Sequence, residues 1–164
     1  VMADASRNSV YKDLRLTGNG GGGIRASGNS LISRVLATNN GQHGILMNLD
    51  QGEGGIIRDS TASFNTLDGI QVLGYTVVVD NASFSNGGSA IHVYGVGNRI
   101  DSNNVARGNG TFAIRVEHGP NVIVRNSILG VNSDVSVVPG TTVGPLESAG
   151  TPISNAWANI VYWG

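Results

Sequence analysis

The sequence predicts an all-β solenoid, a single chain wound into about six to seven stacked coils of short parallel strands. Three observations carry this prediction: a repeat of 21 to 25 residues, period-two apolar triplets within each repeat, and Gly and Asn at the joints between triplets. The composition agrees. Of 164 residues 25 are Gly, and charged residues make up 13% where a globular chain usually carries about a quarter. So few charges exclude a solvated helical bundle, and 40% hydrophobic residues in short Val/Ile groups exclude a disordered linker. The net charge of −1 lacks the electrostatic footprint of a nucleic-acid binder, no apolar run is long enough to span a bilayer, and zero cysteines rule out disulfides and thiolate metal sites.

The leader strands come first. A small residue, an aliphatic one, an outward-type residue and a second apolar one recur as Gly23-Ile24-Arg25-Ala26, Gly44-Ile45-Leu46-Met47, Gly69-Ile70-Gln71-Val72, Ala90-Ile91-His92-Val93, Ala113-Ile114-Arg115-Val116 and Asp134-Val135-Ser136-Val137. The leaders Ile24, Ile45, Ile70, Ile91, Ile114 and Val135 follow one another at 21, 25, 21, 23 and 21 residues. A second inward set is expected before them at Leu14/Leu16, Val35/Ala37, Ala62/Phe64, Ala82/Phe84, Val105 and Ile128, and a third at Val10, Leu31, Ile57, Val77/Val79, Ile100 and Val122/Val124. Segments this short are unstable alone, and no intervening helix can build βαβ units. One coil per repeat solves both problems, because each strand then has a parallel partner about 4.8 Å above and below it.

The joints follow from backbone sterics, since coil corners need left-handed conformations that Gly and Asn tolerate. Asn81, Asn104 and Asn126 precede the second-set strands, where stacked side chains can satisfy one another's amides. A second corner is marked by Asn39-Asn40-Gly41, Asn65, Asn86-Gly87-Gly88, Asn109-Gly110 and Asn132. Asn81-Ala82-Ser83 and Asn109-Gly110-Thr111 also fit the N-glycosylation pattern. Residues 141–164 break the repeat and carry Pro145, Pro152, Trp157, Tyr162 and Trp163, so they are expected to form a C-terminal aromatic cap on the coils of residues 1–140. Residues 1–6 supply no matching apolar cover. The expectation is therefore that the chain is the C-terminal part of a longer protein, or that it associates end to end.

The recurring Asn-x-aliphatic, Asn-Gly and Gly-Ile-x-Val phrases resemble the right-handed single-stranded parallel β-helix repeat of the pectate-lyase-like superfamily, particularly its short-coil, carbohydrate-associated members. The resemblance implies a right-handed coil, a polysaccharide partner and an extracellular or cell-envelope location. The superfamily includes lyases, epimerases, hydrolases and non-catalytic rods, and the resemblance selects none of them.

Inward residues build the core, so a site is sought on the outward columns. One column runs Arg25, Leu46, Gln71, His92, Arg115, Ser136, and the next runs Ser27, Asn48, Leu73, Tyr94, Glu117, Val138. His92, Tyr94, Arg115 and Glu117 fall on two successive rungs and form the candidate catalytic set, with Gln71, Asn48 and Arg25 as substrate-binding candidates. On an acidic sugar, Arg115 would neutralise the carboxylate, His92 would remove the neighbouring proton and Tyr94 would act as acid. Glycoside hydrolysis would instead need a second carboxylate near Glu117, for which Asp50 and Glu53 are the candidates. No cofactor is predicted. His43, His92 and His118 lack metal-ligand spacing, and Asp50, Glu53 and Asp59 form no Ca²⁺-binding loop motif. The competing readings are a structural rod, such as an adhesin, tail or filament segment, and a non-catalytic accessory module.

Overall fold

The structure is a computed structural model that describes residues 7–48, 53–106, 110, 112–130, 135–150, 152 and 154–162. Asp50, Asn109, Asn132 and Trp163, and the expected lack of cover at residues 1–6, lie outside the described residues. The described chain contains no helix; its strands form three parallel sheets, and each coil contributes one strand to each sheet.

The leader sheet stacks Ile24–Ala26, Ile45–Met47, Ile70–Val72, Ile91–Val93, Ile114–Val116 and Val135–Ser136 in the expected register, Ile on Ile up to the final Val. The five isoleucine leaders are at most 1% exposed. Each contributes about 1.5–3 kcal/mol by burial, so the repeat spacing is also the core's energetic basis. Glycine precedes Ile24, Ile45 and Ile70 for a steric reason. A Cβ at Gly44 would lie 2.5 Å from the Asn65 Nδ2, and one at Gly69 would lie 2.5 Å from that of Asn86.

The other two sheets correct the expected phase of several strands. In the second sheet the inward row is Leu16, Ala37, Ala62, Ser83, Val105, Ile128 and Val161. Phe64 and Phe84 are not inward: they are 57% and 36% exposed and meet edge-on outside at 6.2 Å, while Ser83 takes the interior place expected of Ala82/Phe84. Its hydroxyl is tolerated there because it donates to the Ala90 carbonyl at 2.7 Å. In the third sheet the inward row is Tyr11, Ile32, Ile57, Val78, Ile100, Ile123 and Val143. Val10, Leu31, Val77/Val79 and Val122 are therefore each displaced by one residue from the core positions expected of them.

Corner geometry sets these phases. Between the third and second sheets, Asp13, Arg34, Asp59, Asp80, Ser102 and Arg125 all adopt φ between 52° and 59°, and each is followed by one inward residue before the next strand. That two-residue corner leaves no choice of which strand residue points inward, whatever its hydrophobicity. Its inward residues include Asn81, Asn103 and Asn126, and with Asn159 at the start of the last strand their side-chain amides hydrogen-bond in succession at 3.0, 3.0 and 2.9 Å. Asn103, rather than Asn104, stands in this row, and Asn104 is exposed at the start of its strand. Asn19, Asn40, Asn65 and Asn86 form a second row, and Asn98 donates to Asn121 in a third. Asn81 is 2% exposed and bonded on both sides, which removes it as a glycan acceptor.

The C-terminal segment adds strands to two of the three sheets. Thr142–Val143 extends the third sheet, while Asn159–Tyr162 inserts between Ser127–Leu129 and Leu146–Ser148 in the second. Asn159 and Val161 are fully buried, whereas the rings of Trp157 and Tyr162 face outward at 52% and 45% exposure.

Candidate functional site

Parallel pairing carries the leader-sheet outward columns across the rungs as predicted. Gln71 registers with His92 and His92 with Arg115, and the backbone N–H groups of Tyr94 and Glu117 bond to the carbonyls of Val72 and Val93. The side chains of His92, Arg115 and Glu117 then converge. Glu117 Oε1 lies 3.1 Å from His92 Nε2 and 2.8 Å from an Arg115 terminal nitrogen. Tyr94 stands beside them, its ring centroid 6.3 Å from that of His92.

The residue that sequence reasoning missed is Asp68. It lies in the corner just before the Ile70 leader, where Asp beside Gly reads as an ordinary turn. Its carboxylate reaches up one rung to accept from the Ser89 backbone N–H at 2.7 Å and from His92 Nδ1 at 2.9 Å. The His43 ring lies on its other side, with Nδ1 3.4 Å from the same oxygen, close enough for charge attraction but not aligned for a hydrogen bond. His43, Asp68, His92, Glu117 and Arg115 thus form one continuous polar chain across four rungs.

The chain decides the state of His92. Although its side chain emerges on the outer face, the residue is only 8% exposed. Burial disfavours the imidazolium, but hydrogen bonds and charge attraction from Asp68, supported by Glu117, outweigh it and push the His92 pKa above its ordinary value. Burial likewise disfavours the Asp68 carboxylate, yet the contact with His43 and the hydrogen bonds from His92 and Ser89 hold it well below the usual carboxylate range. With a carboxylate on each ring nitrogen, the protonated form of His92 is favoured and both nitrogens are engaged. Gln71 Nε2 approaches Nδ1 to 3.4 Å, but both are then donors, so this is a packing contact.

His118 has the opposite arrangement. Its Nδ1 contacts the Tyr94 carbonyl, which can only accept, so Nδ1 carries a proton and Nε2 is left without a hydrogen-bond partner among the described residues. The exposed His118 ring tilts against Tyr94 at 5.3 Å between centroids. Together with Leu73, Gly95 and Val96 the two rings line a shallow depression of about 320 Å³.

The remaining candidates are dispersed. Asn48 is separated from Tyr94 by Leu73 in its column, and Arg25 from Gln71 by Leu46, so Arg25 stands about 14 Å from His92. Glu53 packs over Gly28 with Oε2 buried, and Asp59 pairs with Arg58 at 3.1 Å on another sheet. Among the described residues, no three His, Asp or Glu side chains converge as metal ligands would.

Comparison with solved structures places this architecture. The periplasmic alginate epimerase AlgG superposes on 94% of the chain with a TM-score of 0.61 at 18% sequence identity. A double mutant of that epimerase superposes on 99% with a TM-score of 0.53 at 17% identity. The chain spans 38% and 45% of those two chains, less than half of either. No curated protein sequence matches it. Residues 1–144 match the family model described as the right handed beta helix region, and the chain belongs to that family.

Proposed function

We propose that the leader-sheet face binds an acidic polysaccharide, at an extracellular or cell-envelope location, and processes it by chemistry at the carbon next to the sugar carboxylate. The observation that carries this reading is the free Nε2 of His118, placed against Tyr94 on the rim of the depression and one residue from the Glu117–Arg115 pair. The likeness to the epimerase supports a saccharide as the partner. The chemistry itself rests on the side chains.

In this reading Arg115, with its side chain 45% exposed, pairs with the uronate carboxylate and makes the C5 proton more acidic. His118 Nε2 removes that proton, a role that the doubly bonded His92 is not free to take. The Tyr94 hydroxyl returns a proton either to the opposite face of C5, which inverts the centre, or to the glycosidic oxygen as the C4–O bond breaks and the C4–C5 double bond forms. The Asp68–His92–Glu117 chain acts by position: it holds Glu117, which in turn orients Arg115. Hydrolysis is less favoured, since Asp68 is enclosed by its partners and leaves Glu117 without a second available carboxylate among the described residues.

Incubation with polyuronates in D₂O tests the reading. Deuterium at C5, or an unsaturated product, supports it. Binding without either would reduce the face to a binding module, and neither binding nor exchange would leave the rod reading.

A further inference from the structure

A second group of charged and aromatic side chains lies on the third sheet, away from the leader face. Asp101, whose side chain is 4% exposed, accepts from Arg99 Nε at 2.9 Å, from Arg125 Nε at 2.7 Å and from the Ser102 hydroxyl at 2.9 Å, with a terminal nitrogen of Arg125 closing a bidentate pair. Two guanidiniums thus share one carboxylate and leave a local charge of about +1. Asp80 also acts on Arg125 by charge attraction and is exposed in the same corner column, with Ser102 between them. The Trp157 ring stands beside the pair, its centroid 5.2 Å from the Arg125 guanidinium carbon and 6.0 Å from that of Arg99.

This group is both fixed and open. Trp157 is held through its backbone: its N–H donates to Asn155 Oδ1 at 2.8 Å and its carbonyl accepts from the Arg125 N–H at 3.3 Å. Gly144 leaves room for that carbonyl, since a Cβ there would lie 1.9 Å from it. Yet Trp157 remains 52% exposed, and the Arg99 and Arg125 side chains 39% and 44%. A contact serving only to tie this segment to the coils would gain most by burying the ring. Holding a large aromatic and two guanidiniums rigid at the surface costs side-chain entropy without such a gain. It does prepare a binding surface, because the ordering is done before a ligand arrives.

We propose that Trp157, Arg99 and Arg125 form a second saccharide-binding site, specific for a carboxylated sugar. The apolar C–H face of a pyranose ring packs on the indole, and the sugar carboxylate takes guanidinium N–H groups that Asp101 leaves unused. The site anchors a glycan on a different sheet from the leader face. The choice of a carboxylated ligand is consistent with the proposed function but rests on this cluster's own charge.

The test uses the full chain with Trp163→Phe, so that Trp157 is the sole indole reporter, titrated with a defined oligouronate and with its carboxyl-reduced neutral counterpart. The expected result is a saturable change in Trp157 fluorescence with the oligouronate and a response at least about tenfold weaker with the neutral oligomer. Arg99→Gln, which leaves Arg125 on Asp101, weakens the response about tenfold. Arg115→Ala leaves it unchanged. No saturable change, equal affinity for the neutral oligomer, indifference to Arg99→Gln, or loss of the signal in Arg115→Ala each overturns the proposal. Deuterium exchange at the leader face that persists without a Trp157 response sinks this site alone, whereas a Trp157 response without exchange sinks only the catalytic reading.

Discussion

Asp68 and His92, 24 residues apart in the chain, share a hydrogen bond of 2.9 Å between adjacent rungs of the leader sheet. It is the inner end of the polar chain that holds Glu117 and Arg115 at the surface. Replacing Asp68 by Asn keeps the shape but removes the charge that favours the imidazolium. The expected outcome is a fall in the His92 pKa, visible in an NMR titration of its ring protons, and a stability loss of about 1–3 kcal/mol in urea denaturation.

Turnover should depend on His118 more than on His92. His118→Ala is expected to lower proton exchange by about 10²–10⁴-fold while the urea midpoint stays close to that of the parent protein, because the ring is exposed and makes one backbone contact. His92→Gln should lower the midpoint as well, since it leaves two carboxylates facing each other without the cation between them. Equal kinetic losses with equal stability losses for the two variants would contradict the assignment.

Arg115→Ala removes the cation that meets the sugar carboxylate. Affinity for polyuronate should fall about tenfold and become less sensitive to salt, while a neutral polysaccharide, if bound at all, is unaffected. Affinity electrophoresis at two ionic strengths distinguishes these outcomes.

The pH dependence of stability follows from two opposite shifts. His92 is raised above its ordinary 6.5, so its contribution is complete below 6.5 and is lost as pH rises through the higher folded value. Asp68 is depressed below its ordinary 3.8, so its contribution is complete above 3.8 and is lost as pH falls through the lower folded value. Stability should therefore plateau between 3.8 and 6.5, with an alkaline decline that disappears in His92→Gln. Asp101, held down to about 2 against burial by hydrogen bonds from Arg125 and Arg99, adds an acid-side loss as pH drops from 3.8 toward 2. Urea midpoints measured across this range check all three.

The asparagine rows give a sharp contrast between neighbours. Asn103→Ala removes the acceptor of the Asn81 backbone N–H and side-chain amide, both at 3.0 Å in the interior, and should cost about 1–3 kcal/mol. Asn104→Ala, one residue away and exposed, should change stability by no more than about 0.5 kcal/mol. Thermal denaturation of the two variants checks the row assignment directly.

The coil, the leader register and the outward columns were legible in the sequence for a simple physical reason. When each repeat makes one turn, a spacing along the chain becomes a neighbour relation between rungs, so Ile91 must sit on Ile70 and Arg115 beside His92. The phase of Val77–Val79 and Ala82–Phe84 was not legible, because each offers apolar side chains on the wrong parity. The corners at Asp80 and Asn81 decided which residue faces in. Asp68 was hidden because its role depends on a side chain crossing to the next rung, which no periodicity records. By itself, then, the sequence determined which residues of successive leader strands stand together. Only the tertiary structure decided which histidine nitrogen is left without a partner, because that depends on the groups that neighbouring rungs place against each ring: carboxylates on both sides of His92, and a single carbonyl against His118.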